Sequence, residues 1–200
     1  MRQLLLDLAR APEPSFANFV PGGNAELLGV LRAAARGDAP DRVLYVWGET
    51  GAGKTHLARS LAAAAPASLR LRVVEEVERL DADAQAELFN AFIEGDFGLL
   101  LATSRMAPGD LPVRRDLATR LATGLTFHVL PLTDEEKRAA LRHHAQARGF
   151  ALSEEVANYL LTHARRDMGS LMAALDALDR YSLETGRPIT IPLLKAALHA

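Results

Sequence analysis

The sequence predicts an α/β fold, an open parallel sheet flanked by helices and followed by a small all-helical unit. Three observations predict it. Short apolar runs alternate with helix-period runs between residues 42 and 131, a Gly-x4-Gly-Lys-Thr turn joins the first strand to the helix after it, and β signals fade from Thr133 onward. Strands separated by helices imply crossover connections and therefore parallel pairing.

The first ten residues are apolar apart from Arg2, Gln3, Asp7 and Arg10, and lie ahead of Pro12, Pro14, Pro21, Gly22 and Gly23, which suit an extended arm better than a helix. Residues 24–36 carry apolar side chains at helical spacing, with Asn24 as the expected N-cap. Val43 to Trp47 reads as a strand, Thr55 to Ala65 as a helix stopped by Pro66, and Leu69 to Val74 as a second strand. Ala82 to Ile93 is a helix, Gly98 to Thr103 a strand, Asp116 to Ala122 a short helix and Thr126 to Leu130 the last strand. Thr133-Asp-Glu-Glu136 is a capping box, opening a helix that Gly149 closes. Ser153 and Asp167 cap two more, the latter running to Gly186, and Thr190 with Pro192 opens a fourth. The expected organisation is an arm over residues 1–10, a nucleotide-binding core over 11–132 and a helical lid over 133–200.

Two hundred residues, 49% hydrophobic and 24% charged, can bury a core in one large domain or a core with an appendage. Lys plus Arg number 23 against 25 Asp plus Glu, a net charge of -2, which argues against a sequence-independent grip on nucleic acid phosphates. The absence of cysteine removes disulfides, thiolate nucleophiles and Cys-based zinc sites. The N-terminus lacks the apolar stretch of a signal peptide, and no run is long enough to span a bilayer, so the expected location is the cytoplasm, with no membrane partner.

The chemistry is concentrated in Gly48-Glu49-Thr50-Gly51-Ala52-Gly53-Lys54-Thr55-His56, whose first eight residues match the phosphate-loop pattern at every fixed position. Glycines let backbone N–H groups close around a phosphate at the positive end of the following helix. Lys54 would neutralise phosphate oxygens and Thr55 would ligate Mg²⁺. An acidic strand end is then needed, and Leu71-Arg72-Val73-Val74-Glu75-Glu76 supplies it: Glu75 on the metal side, one methylene longer than the usual Asp, and Glu76 toward the attacking water. A solvated acidic run is the competing reading. Ser104 or Thr103, at the end of an apolar strand, is placed to sense the terminal phosphate or the water.

Phosphate loop, acidic strand end, hydroxyl strand end, then Asp116-Leu117-Ala-Thr-Arg120-Leu121-x-x-Gly124 and a helical lid after Leu130-Pro-Leu-Thr-Asp-Glu-Glu-Lys137, resemble in their order the AAA+ ATPases. Within these, Ser15-Phe16-Ala-Asn18-Phe19-Val20-Pro-Gly22-Gly-Asn24 is similar to the adenine-contacting arm of the replication initiator DnaA. The resemblance covers nearly all 200 residues and stops where DnaA continues into a DNA-binding domain. Together with Gln3-Leu4-x-Leu6-x-Leu8, which resembles a sliding-clamp-binding hexamer, it points to the Hda-type regulators of DnaA.

That resemblance implies an adenine contact from Phe19 and Val20, ADP or ATP with Mg²⁺ as cofactors, and Arg120 as an arginine finger offered to ATP held by DnaA. It implies two partners, DnaA and the β sliding clamp, with DNA reached only through the clamp; a homo-oligomer stays open. The family's lid arginine falls here on Gly169, leaving Arg165 and Arg166 as neighbouring cations. Only about 20 residues separate Thr55 from Glu75, room for one helix, so the sheet should have four strands with the usual edge strand missing. The resulting expectation is a regulator with weak or no ATPase of its own. Two alternatives are an autonomous ATPase or helicase loader acting on nucleic acid, and an adaptor in which Arg120 is dispensable.

Overall fold

In the computed structural model the described residues are 13–165 and 167–199, with side chains described up to residue 195. They divide into two compact units, one over Pro14–Pro131 and one beginning at Leu132.

The first unit carries strands β1 (Val43–Trp47), β2 (Leu71–Val74), β3 (Leu99–Ser104) and β4 (Leu125–His128), all parallel, in the order β2-β3-β1-β4. This is the four-stranded sheet expected from the short interval between Thr55 and Glu75. β1 and β3 are central and read as continuous apolar runs because both of their faces are covered. Helices α1 (Ala25–Ala35) and α2 (Lys54–Ala64) cover one face, where Leu31, Leu57 and Leu61 pack on Leu44, Val46, Leu99 and Leu101. Helices α3 (Ala82–Glu94) and α4 (Arg115–Ala122) cover the other, where Leu88, Leu117 and Leu121 pack on Tyr45, Leu100 and Ala102. Period-two alternation along β1 and β3 thus feeds two separate apolar layers.

The second unit contains α5 (Asp134–Ala147), α6 (Glu154–His163), α7 (Met168–Thr185) and α8 (Ile191–His199). Thr133 and Glu136 form both hydrogen bonds of the capping box, and Ser153 and Asp167 each accept from an N3 amide. Leu141, Leu160, Leu171, Leu175 and Leu178 fill the core between these helices. No described helix is long and apolar enough to cross a membrane.

One expectation about a helix start fails. Asn24 makes no side-chain cap to α1. It is 4% exposed, and its amide instead bonds Pro21 O at 3.0 Å and both polar backbone atoms of Leu130, at 2.9 and 2.8 Å.

Candidate functional site

The loop Gly48–Gly53 leaves the carboxyl end of β1 and runs into α2, the position from which open parallel sheets bind ligands. Two of its glycines are sterically required. A Cβ on Gly48 would lie 2.5 Å from Val129 O. Gly53 has φ +106°, in the left-handed region, and a Cβ there would meet the Phe19 ring at 3.0 Å. Glu49, Thr50, Gly51 and Ala52 complete the turn, with Ala52 N bonded to Glu49 O. The loop is joined to the neighbouring strand by Gly48 N donating to Ser104 O at 3.2 Å.

Lys54 folds back over this loop and donates to Gly48 O at 2.7 Å and Glu49 O at 2.8 Å. Burial lowers its pKa from the usual lysine value, the negative charges of Glu78 and then Glu76 oppose that shift, and Arg105 adds to it. The Thr55 hydroxyl donates to Glu75 Oε2 at 2.5 Å, so the two candidate metal-side groups are adjacent although 20 residues apart. Among the described residues no cluster of three or more His, Asp or Glu could hold a metal by itself. One hydroxyl and one carboxylate fit Mg²⁺, which keeps several waters and completes its shell with substrate phosphates. The ion, where bound, supplies charge neutralisation to phosphate oxygens.

The segment over residues 15–20 reaches the same loop. Ser15 O accepts from His56 Nε2 at 3.0 Å, assuming the proton is on that nitrogen, and the Phe19 and His56 rings lie 5.4 Å apart. Phe19 and Val20 are half-buried, so Phe19, His56 and Gly53 form one surface beside the phosphate loop.

The acidic segment is more differentiated than its sequence. Glu76 has φ +53°, and its carboxylate pairs with Arg79 at 2.6 Å at the surface. Glu78 lies on the following turn with its side chain 4% exposed, and Oε1 accepts from both Arg105 N and Arg105 Nε at 3.2 Å. Oε2 is buried with no hydrogen-bond partner among the described residues. Burial pushes the Glu78 pKa up, yet hydrogen bonding and the nearby Ser104 and Arg105 groups outweigh it, so the carboxyl sits below its ordinary value. Within the run Glu75-Glu76-Val77-Glu78 the one signal for the third acid is its position, four residues past the end of β2 and next to a buried valine.

Ser104 ends β3. It is fully buried, and its Oγ accepts from Met106 N at 3.0 Å, a hydroxyl committed to the loop behind it. Thr103 Oγ1 accepts from Glu76 N at 3.4 Å, which ties β3 to the acidic turn. Arg120 is exposed in the last turn of α4, and its side chain makes no hydrogen bond or ion pair among the described residues. Arg114 pairs with Asp116 at 2.6 Å. Gly169 opens α7, and Arg165 is exposed, pairing with Asp167 at 3.4 Å. Gln3, Leu4, Leu6, Leu8 and Arg166 lie outside the described residues.

Sheet order, phosphate loop and helical C-terminal unit together define a P-loop protein of the AAA+ class. The Hda lid-domain model matches residues 134–198. An uncharacterised Haemophilus influenzae protein is 34% identical over 229 aligned residues, covering 99% of each chain. Domain III of the Thermotoga maritima replication initiation protein DnaA has the same fold (TM-score 0.71, 22% identity, 94% of this chain and 98% of that one). So has AMPPCP-bound DnaA from Aquifex aeolicus (TM-score 0.69, 18% identity, 88% and 68%). The chain belongs to the Hda and DnaA-related AAA+ family.

Proposed function

We propose that this protein is a nucleotide-bound negative regulator of replication initiation that stimulates hydrolysis of ATP held by DnaA. The observation that carries the reading is the exposed Arg120 at the C-terminal turn of α4, with no partner for its side chain among the described residues. A guanidinium offered in trans to a terminal phosphate stabilises charge in the transition state, an effect of about 10³ to 10⁵ in rate for such fingers generally. In this reading Gly48, Glu49, Thr50, Gly51, Ala52, Gly53 and Lys54 hold ADP or ATP, Thr55 and Glu75 hold Mg²⁺, and Phe19, Val20 and His56 flank the base. Gln3, Leu4, Leu6 and Leu8 dock the molecule on the sliding clamp, with Gln3 setting register and the leucines entering an apolar groove. The membership in a family whose lid model is named for Hda supports the assignment to DnaA.

The test measures hydrolysis of DnaA-bound ATP in the presence of clamp loaded on DNA, comparing the intact protein with Arg120→Ala and Gln3→Ala. Large losses from both changes are expected. Equal stimulation by all three rules the reading out, and hydrolysis without DnaA favours an autonomous ATPase.

A further inference from the structure

The buried carboxylate of Glu78 and the half-exposed guanidinium beside it have no part in the function just proposed. β3 lies between β1, which feeds the phosphate loop, and β2, whose last residue, Val74, precedes Glu75. A phosphate chain running from the loop toward the metal-side carboxylate therefore passes the carboxyl end of β3. Ser104 bonds that end to Gly48 through its carbonyl, and Arg105 is the next residue. Its side chain is 50% exposed. Glu78 Oε1 pins both its backbone N–H and its Nε–H, and neither terminal amino group of the guanidinium makes a hydrogen bond among the described residues. A fork held by its Nε, with both terminal amino groups open, is pre-organised to bind an anion at little further entropic cost. Arg105 also acts electrostatically on Lys54, as expected for two cations beside one site.

We propose that Arg105 contacts the terminal phosphate of a bound nucleoside triphosphate, with Glu78 as the positioning residue that aims it. The inference rests on the reading of the loop as a nucleotide site.

The experiment titrates ADP and the non-hydrolysable triphosphate AMPPCP, each with Mg²⁺, into the intact protein and into Arg105→Ala, Arg105→Lys and Glu78→Gln. Arg105→Ala should lose about tenfold or more in AMPPCP affinity while ADP affinity stays within about twofold, and retained ADP binding shows that the variant is folded. Arg105→Lys should recover part of the loss, a point charge replacing a fork. Glu78→Gln should shift the AMPPCP-to-ADP ratio the same way by less, since an amide oxygen holds Nε more weakly; an unchanged ratio removes its positioning role. Equal losses for both nucleotides in Arg105→Ala, or none, overturn the proposal and leave the loop's nucleotide reading standing. Failure of the intact protein to bind ADP overturns both.

Discussion

Asn24 holds Leu130 by both of its polar backbone atoms, accepting from Leu130 N at 2.8 Å and donating to Leu130 O at 2.9 Å across 106 residues of sequence. The contact joins the turn before α1 to the segment that leaves β4, and the Leu130 side chain packs over Gly23 in the same place. Asn24→Ala would leave the part-buried N–H and carbonyl of Leu130 without this partner, while Pro21 O keeps its bond from Asn24 N, at a cost of about 1–3 kcal/mol. The expected result is a lower urea midpoint at unchanged m-value. An unfolding free energy within about 0.5 kcal/mol of the parent would show that water replaces the amide.

The Thr55 to Glu75 hydrogen bond is expected to be the structural sign of a shared metal site. Thr55→Ala should weaken ADP binding several-fold in Mg²⁺ and have little effect in EDTA, since only the ion-dependent part of the affinity passes through this hydroxyl. An identical loss in both buffers would instead place Thr55 on the phosphates directly.

The strands and helix starts were legible because they depend on neighbours in sequence. Val43 to Trp47 is a buried apolar run, and Thr133, Ser153 and Asp167 accept the amide three residues on, as their spacing required. Asn24 was not, because its partner lies 106 residues away and an asparagine before a helix reads equally as a cap. Among the acids, spacing could not separate Glu76 from Glu78. The left-handed backbone at Glu76, φ +53°, sends its carboxylate to Arg79 at the surface, while Glu78 lands under Arg105. The surroundings of Ser104 follow from strand periodicity. Period-two alternation puts it on the Leu100 and Ala102 face, with Tyr45, and its hydroxyl turns to Met106 N.

Tyr45 gives the protein an alkaline limit. Burial pushes its phenol up to about 12 from an ordinary 10.0, and the hydroxyl donates to Met106 O at 2.8 Å. A folded-state pKa above the unfolded value contributes stability that is complete below pH 10 and is lost as pH rises toward about 12. Urea midpoints should therefore fall between pH 10 and 12 in the parent, and Tyr45→Phe should show a flatter decline from a lower starting point. Parallel curves for the two proteins would assign the alkaline loss to other groups.

Within the helical unit, Arg148 is the cation that two acids of α7 share: its Nε bonds Asp179 Oδ2 at 2.9 Å and its Nη1 lies 3.4 Å from Asp176 Oδ1. Asp176 is also bonded to His144 Nε2 at 2.6 Å, so α5 with its C-cap Arg148 is joined to α7 through four side chains, beside the core that holds Leu141 and Leu175. The Asp179 side chain is only 12% exposed, and removing its partner leaves a carboxylate that water reaches poorly. Arg148→Ala should therefore cost about 1–3 kcal/mol, less than for a fully buried pair because Arg148 itself is 38% exposed. Adding Asp179→Asn to that variant should recover part of the loss, since the uncompensated charge goes while the side chain's shape stays. Hydrogen exchange reads the effect locally: amides of α5 and α7 should open more readily, while those of β1 and β3 keep their protection. If the double variant is no more stable than Arg148→Ala alone, the arginine acts through the packing of its aliphatic stem and not through its charge.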